Sequence, residues 1–312
     1  MPAPNWALGG ALLLLTLVST MWIGRMAWAL PEERHLWWSG WRFAVPLMSI
    51  LLAHEFGHYI ASRLHRVPAS LPYFIPMPFQ AFGTLGAIIL MRGRIRSAKA
   101  LLDVGASGPL AGMVVAVPLM LWGLAHSQLG PRCTEHCIQE GQSLLYWACK
   151  RVVFGAMRPD QDVLLHPTAL AAAAGFLVTF MNLLPWGQLD GGHVAYALLG
   201  PRHHRLAPWI AALPWAFAGL RAVELALSSL RDPASAGLSL RGIFEAPAHL
   251  AAVSSGTWWL MIGVLLLLLG RFGGRRHPPV DEPRLDPLRR AVGLFTLLLF
   301  VLLFMPTPLV EY

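Results

Sequence analysis

Apolar residues run along this chain in blocks of about twenty, the length that carries an α-helix across a bilayer, and short clusters of charge, proline and glycine separate the blocks. Such blocks show neither the alternation of a half-buried strand nor the one-sided stripe of a soluble helix, so they predict membrane spans. They fall at Trp6–Leu30, Phe43–Ser62, Leu101–His126, His166–Pro185, Leu206–Leu227, Leu250–Gly270 and Ala291–Met305. Arg25 interrupts the first, close enough to an end to snorkel. Ala27-Trp28-Ala29 resembles a signal-peptidase site, yet Met1–Asn5 carries no Lys or Arg and the run exceeds the usual signal length, so a retained span is expected.

Two stretches break the pattern. Between Arg63 and Lys99, Pro68, Pro72, Pro76 and Pro78 forbid a continuous helix, and Gln80–Leu90 reads as short extended segments around glycines. A β-hairpin or re-entrant sheet is expected there. In an apolar setting its open edge must be buried, face water or receive another strand, so it either covers a site or accepts a peptide by β-augmentation. The second break ends the fourth span, where Asn182-Leu183-Leu184-Pro185 is followed by Trp186-Gly187-Gln188-Leu189-Asp190-Gly191-Gly192-His193. Proline and glycine stop the helix near membrane depth, and an acid follows at once.

The expected fold is therefore an all-α polytopic membrane protein of six to seven transmembrane helices, with a membrane-associated β-hairpin between the second and third. Residues 1–312 form one membrane domain, in which 127–165 is an extracytoplasmic loop and 206–312 supply additional transmembrane helices. Composition agrees: 56% of residues are hydrophobic, 13% are charged and the mean hydropathy is +0.55. The net charge of +8 does not indicate nucleic acid, because the basic residues sit in short loops where they set topology and meet lipid headgroups. Placing the amino terminus inside puts 14 loop Lys and Arg on that side against 8 on the other, which makes the hairpin and the Asp190 segment cytoplasmic. Arg221 and Glu224, at i and i+3 in the fifth span, are expected to pair within the bundle. Cys133, Cys137 and Cys149 share one loop, so one disulfide at most can form. The run Gly105-Ala106-Ser107-Gly108-Pro109-Leu110-Ala111-Gly112 suits close helix packing.

The chemistry begins at His54-Glu55-Phe56-Gly57-His58. On a helix, histidines at i and i+4 share one face and can hold one zinc ion, with the adjacent Glu55 as candidate base. Ionisable groups inside a span are costly and are rarely kept without a task. Counting about 1.5 Å per residue, His58 lies ~6 Å and His54 ~12 Å from the Arg63 end. Asp190 reaches the same leaflet from the fourth span. A catalytic zinc takes three protein ligands and keeps one position for water, and Asp190 is the best third ligand beside His54 and His58. Asn182, about two helical turns before Asp190, is placed to hydrogen-bond a substrate or a developing oxyanion.

These residues resemble the site-2 protease family of intramembrane zinc metalloproteases. The likeness rests on His54–His58, on Gly83-Thr84-Leu85-Gly86-Ala87, on Ala106–Gly112, and on Asn182–Pro185 with Leu189–Gly192, in the family's order. It spans about Ser49–Leu199, making 49–199 the catalytic core. The resemblance implies one Zn2+ per chain on His54, His58 and Asp190, Glu55 as base, Asn182 assisting the substrate, and Gly83, Thr84, Leu85, Gly86 and Ala87 receiving it as an added strand. It further implies a membrane-anchored protein substrate, such as a tethered transcription regulator or anti-sigma factor, cut within or beside its transmembrane segment. The expected location is the cell membrane, multi-pass, with the active site toward the cytoplasm. No PDZ or CBS domain is visible.

Two rival readings stand beside this one. A membrane zinc protease cutting outside the bilayer would take a Glu as third ligand, and no E-x-x-x-D lies on a later span. A metal transporter or scaffold would spread ionisable residues over several helices, whereas here they concentrate at one three-ligand site and the Arg221/Glu224 pair.

Overall fold

The computed structural model describes residues 5–91, 95–131, 138–158, 160–231, 247–272, 277–306 and 309–311. Its helices are α1 (Trp6–Ile23, continued by a π-helical turn to Trp28), α2 (Trp41–Leu64), α3 (Ala98–Ala125), α4 (Leu144–Phe154), α5 (Pro167–Asn182), α6 (Asp190–Leu199), α7 (His203–Arg231), α8 (Pro247–Phe272) and α9 (Pro287–Leu303). Three antiparallel strand pairs join β1 (Tyr73–Pro76) to β2 (Thr84–Ile88), β3 (Gln128–Pro131) to β5 (Gln161–Leu164), and β4 (Ile138–Glu140) to β6 (Leu309–Glu311).

The expected fold class holds: the chain is mostly helical, with a hairpin between α2 and α3. Among the described residues, four helical stretches are long and apolar enough to cross a membrane: Trp6–Trp28, Trp41–Leu64, Ala98–Ala125 and Asp190–Leu227. Pro167–Asn182 and Ser255–Arg271 are shorter apolar helices. Asp190–Leu227 joins two segments that the sequence separates, because a single 3-10 turn at Gly200–Arg202 leads from α6 into α7.

Small residues bring α2, α3 and α5 together. A side chain on Gly57 would meet the Ser107 carbonyl at 2.5 Å, and one on Gly175 would meet Ile50 at 2.9 Å. The close packing expected of Gly105–Gly112 is thus observed. Helix boundaries follow ordinary capping rules: Ser143 accepts the Tyr146 N–H at the start of α4, and Asp286 accepts the Arg289 N–H ahead of Pro287 at the start of α9.

Helix α9 docks onto the core. Gly293 lies against Leu102 of α3 and Leu198 of α6, and Phe300 stacks on Phe180 of α5 at 5.3 Å. At its start, Arg289 donates to Asp103 of α3 through Nε and Nη2 at 2.8–3.0 Å, and the same carboxylate meets His65 Nε2, just past α2, at 2.7 Å. Arg289→Ala is expected to lower stability by about 1–2 kcal/mol, a range kept small because these side chains are a quarter to a third exposed. Thermal unfolding in detergent measures it, and the charge swap Asp103→Arg/Arg289→Asp should regain part of the loss.

The described residues of 127–165 form β3, β4, α4 and β5 rather than a plain hydrophilic loop. Lys150, fully buried, reaches Glu140 Oε1 at 3.0 Å and Asp162 Oδ1 at 3.2 Å, while the Tyr146 hydroxyl donates to Glu140 at 2.8 Å. Ionic pairing thus lets polar residues form the interior of a small cap. Cys149 is a buried free thiol, and Cys133 and Cys137 lie outside the described residues. Arg221 and Glu224 do pair, at 2.6 Å, but with side chains 32% and 59% exposed rather than inside the bundle.

Candidate active site

Helix α2 carries His54, Glu55 and His58 on its buried side, with residue exposures of 3%, 8% and 9%. Asp190 arrives from the first residue of α6, after the chain has turned through the Leu183–Leu189 break. Its Oδ2 lies 3.3 Å from His54 Nε2 and 3.1 Å from His58 Nε2, and the two imidazole nitrogens are 3.1 Å apart. The ligand atoms of these three residues all fall within 4.8 Å of one another, so together they can hold a metal ion. Among the described residues no other group of three His, Cys, Asp or Glu does so.

Neighbouring backbone prepares this arrangement. His58 Nδ1 sits 2.7 Å from the Val104 carbonyl, so Nδ1 carries a proton and donates, which turns Nε2 toward Asp190 and His54. Gly108 makes the contact possible, since a side chain there would overlap the His58 ring. Gly191 plays the same part for α6, because a side chain on it would overlap the Leu183 carbonyl and push the helix start away from the break. Asn182, at the end of α5, places Nδ2 3.4 Å from His54 Nε2, at the edge of the donor set.

Helix α6 is secured from behind as well. His203 Nε2 donates to the Pro185 carbonyl at 2.9 Å. Burial, with His203 and His204 nearby, pushes the pKa of His277 down to about 4, so this ring is neutral at pH 7. Its Nδ1–H donates to the Pro278 carbonyl at 2.7 Å, which leaves Nε2 to accept from His193 Nδ1 at 2.8 Å, one turn after Asp190.

The hairpin packs between α1 and α2. Ser19 donates to the Gly83 carbonyl at 2.6 Å and Trp28 to the Ala81 carbonyl at 3.1 Å, while Phe74 and Ala87 join the cluster of Phe43, Leu47 and Leu51. Gly83 and Gly86 adopt φ of 75° and 87°, the left-handed region that suits glycine, and Tyr73 pairs with Ile88 and Phe74 with Ala87. The sheet has two strands, and Leu85 and Ile88 are more than half and half exposed, at 57% and 50%.

A profile of peptidase family M50 matches residues 42–218, more than half of the chain. The chain belongs to peptidase family M50. The match includes α2, the hairpin, α3, α5 and α6, and it bears out the likeness read from the motifs. Similar curated proteins include the Oryza sativa subsp. indica protein named Probable zinc metalloprotease EGY2, chloroplastic, 31% identical over 159 residues, which are 50% of this chain and 29% of that protein. The Arabidopsis thaliana protein named Probable zinc metalloprotease EGY1, chloroplastic, is 32% identical over 163 residues, again 50% of this chain and 29% of the relative. The matched stretch is thus less than a third of these relatives' length. No solved structure matches the chain.

Within this M50 chain, His54, Glu55, His58, Asn182 and Asp190 stand together on α2, α5 and α6, while Gly83–Ala87 lie beside the earlier turns of α2. The sequence did not reveal the Val104 carbonyl, the room left by Gly108, or the His193–His277 pair. A backbone acceptor has no residue signature, and Gly108 read as a packing glycine.

Proposed function

We propose that this M50 chain is an intramembrane zinc endopeptidase that cuts a membrane-anchored protein within or beside a transmembrane segment. The observation that carries this reading is the convergence of His54, His58 and Asp190 beside Glu55, on a helix long and apolar enough to cross a bilayer. Two imidazoles and one carboxylate suit zinc, and the room for the His58 ring fits a bound ligand set. When bound, zinc supplies a Lewis acid that lowers the pKa of water to about 7 and polarises a carbonyl. His54 and His58 would hold it through Nε2 and Asp190 through its carboxylate. Glu55 takes the proton of the attacking water and returns it to the leaving amine. Asn182 donates to the carbonyl oxygen of the scissile bond as negative charge builds there. Gly83–Ala87 receive the unwound substrate as an added strand. The distribution of Lys and Arg supports a multi-pass protein of the cell membrane with this site toward the cytoplasm, and a tethered transcription regulator or anti-sigma factor suits it as substrate.

The test is to reconstitute the full-length protein with single-span substrates and map the products by mass spectrometry. Cleavage inside or next to the span, abolished by a zinc chelator and restored by zinc, is expected; cleavage confined to soluble peptides would overturn the reading. Two narrower outcomes follow from the geometry. Gly108→Ala should displace the His58 ring and weaken zinc binding by about 10–100-fold, the range for lost support of a metal ligand, as measured by competition with a chelating dye. Leu85→Pro removes a strand N–H and should reduce cleavage far more than zinc content, and equal loss of both would favour a hairpin that merely covers the site.

A further inference from the structure

Helix α4 has 11 residues, too few to cross a bilayer, and it packs where α3 and α9 end. Its inner face carries Tyr146, Cys149 and Lys150 into the cap. Its outer face exposes Leu144, Trp147 and Val152 by 58%, 51% and 76%. Large apolar side chains left outside on a short helix, beside the end of the membrane-length helix α3, describe an element lying along the membrane surface.

Between α4 and α9 runs a slot of about 710 Å³, walled by Leu144, Trp147, Phe300, Val301 and Phe304. This is within the roughly 300–1,000 Å³ of ligand-holding cavities, and the slot is overwhelmingly apolar. Arg151 stands beside it on Trp147: its guanidinium lies 5.5 Å from the centre of the Trp147 ring, and one Nη1–H goes to the Gly155 carbonyl at 3.2 Å. A guanidinium has five N–H donors in a planar fork that matches phosphate oxygens. We propose that this slot binds an anionic phospholipid, with an acyl chain between α4 and α9 and the headgroup phosphate on Arg151. A tryptophan under an arginine marks the level where acyl chain gives way to headgroup, and the charge of Arg151 selects an anionic lipid. The proposal does not depend on proteolysis.

The test uses native mass spectrometry of the full-length protein released from mild detergent after exposure to equal amounts of phosphatidylglycerol and phosphatidylcholine. Wild type should retain one phosphatidylglycerol in preference to phosphatidylcholine. Arg151→Gln should lower that preference about fivefold, the equivalent of ~1 kcal/mol for one basic residue near an anionic surface. Val301→Trp, which fills the slot, should lose both lipids, while Arg158→Gln, outside the lining, should match wild type. An unchanged melting temperature shows that each variant is folded. No preference in wild type, an unaltered preference in Arg151→Gln, or full retention in Val301→Trp would overturn the proposal, as would a second copy of the chain occupying the slot.

Discussion

Replacing Glu55 with Gln should slow cleavage of a membrane-anchored substrate by about 10²–10⁴-fold, the usual worth of a positioned base, and leave zinc at one per chain. The substitution keeps size and hydrogen-bonding capacity but removes the proton acceptor. Glu55 is not among the residues whose ligand atoms converge, so the donor set of His54, His58 and Asp190 should survive it. Metal analysis beside a cleavage assay separates the two effects. Undiminished cleavage in Glu55→Gln would sink the proposed role, and loss of zinc would mean that Glu55 itself belongs to the donor set. The same variant serves in cells, where substrates should accumulate as uncut anchored proteins that a proteomic comparison with wild type can identify.

Asp190→Ala should have the other large effect, taking away zinc and activity together. The carboxylate supplies the one anionic donor, and two neutral imidazoles 3.1 Å apart on one helix hold the ion far less well without it. The loss should exceed the 10–100-fold expected for Gly108→Ala, where all three ligands remain. Asp190→Asn is the informative partner, because it preserves shape and lowers donor charge. Full zinc content in Asp190→Ala would show that the third ligand lies elsewhere. Both proteins must be compared at equal thermal stability, since Asp190 opens α6 and its loss also removes an acid from a helix amino terminus.

Much of this site could be read along the chain because its parts are local patterns. His54 and His58 are one helical turn apart, and the break at Pro185–Gly187 announces itself by residues that helices avoid. The hairpin was legible for the same reason, from prolines and glycines that leave no alternative. What stayed hidden depends on distant partners. Asp103 and Arg289 are 186 positions apart, and nothing at either position marks the other. The β4–β6 pair and the buried Lys150 were equally silent, because short polar segments carry no period and lysine in a loop reads as solvated. The sequence set the Asp190 segment apart from the span at Leu206–Leu227, and the structure joins them closely: α6 is capped by Gly200, whose φ of 59° suits glycine, and a 3-10 turn through Pro201 leads straight into α7.

The carboxylate of Asp103 bears on how the molecule can open. It grips the end of α2 through His65 and the start of α9 through Arg289. Prising α2, α3 and α9 apart would therefore strip a charge of several partners at once. The seam between α1 and α2, where Leu13 and Leu17 rest on the Phe43 cluster, is held largely by apolar side chains that slide at little cost. If the proposed substrate is a transmembrane segment, it would meet one bolted wall and one greased one on its way from the lipid, with the hairpin behind the second.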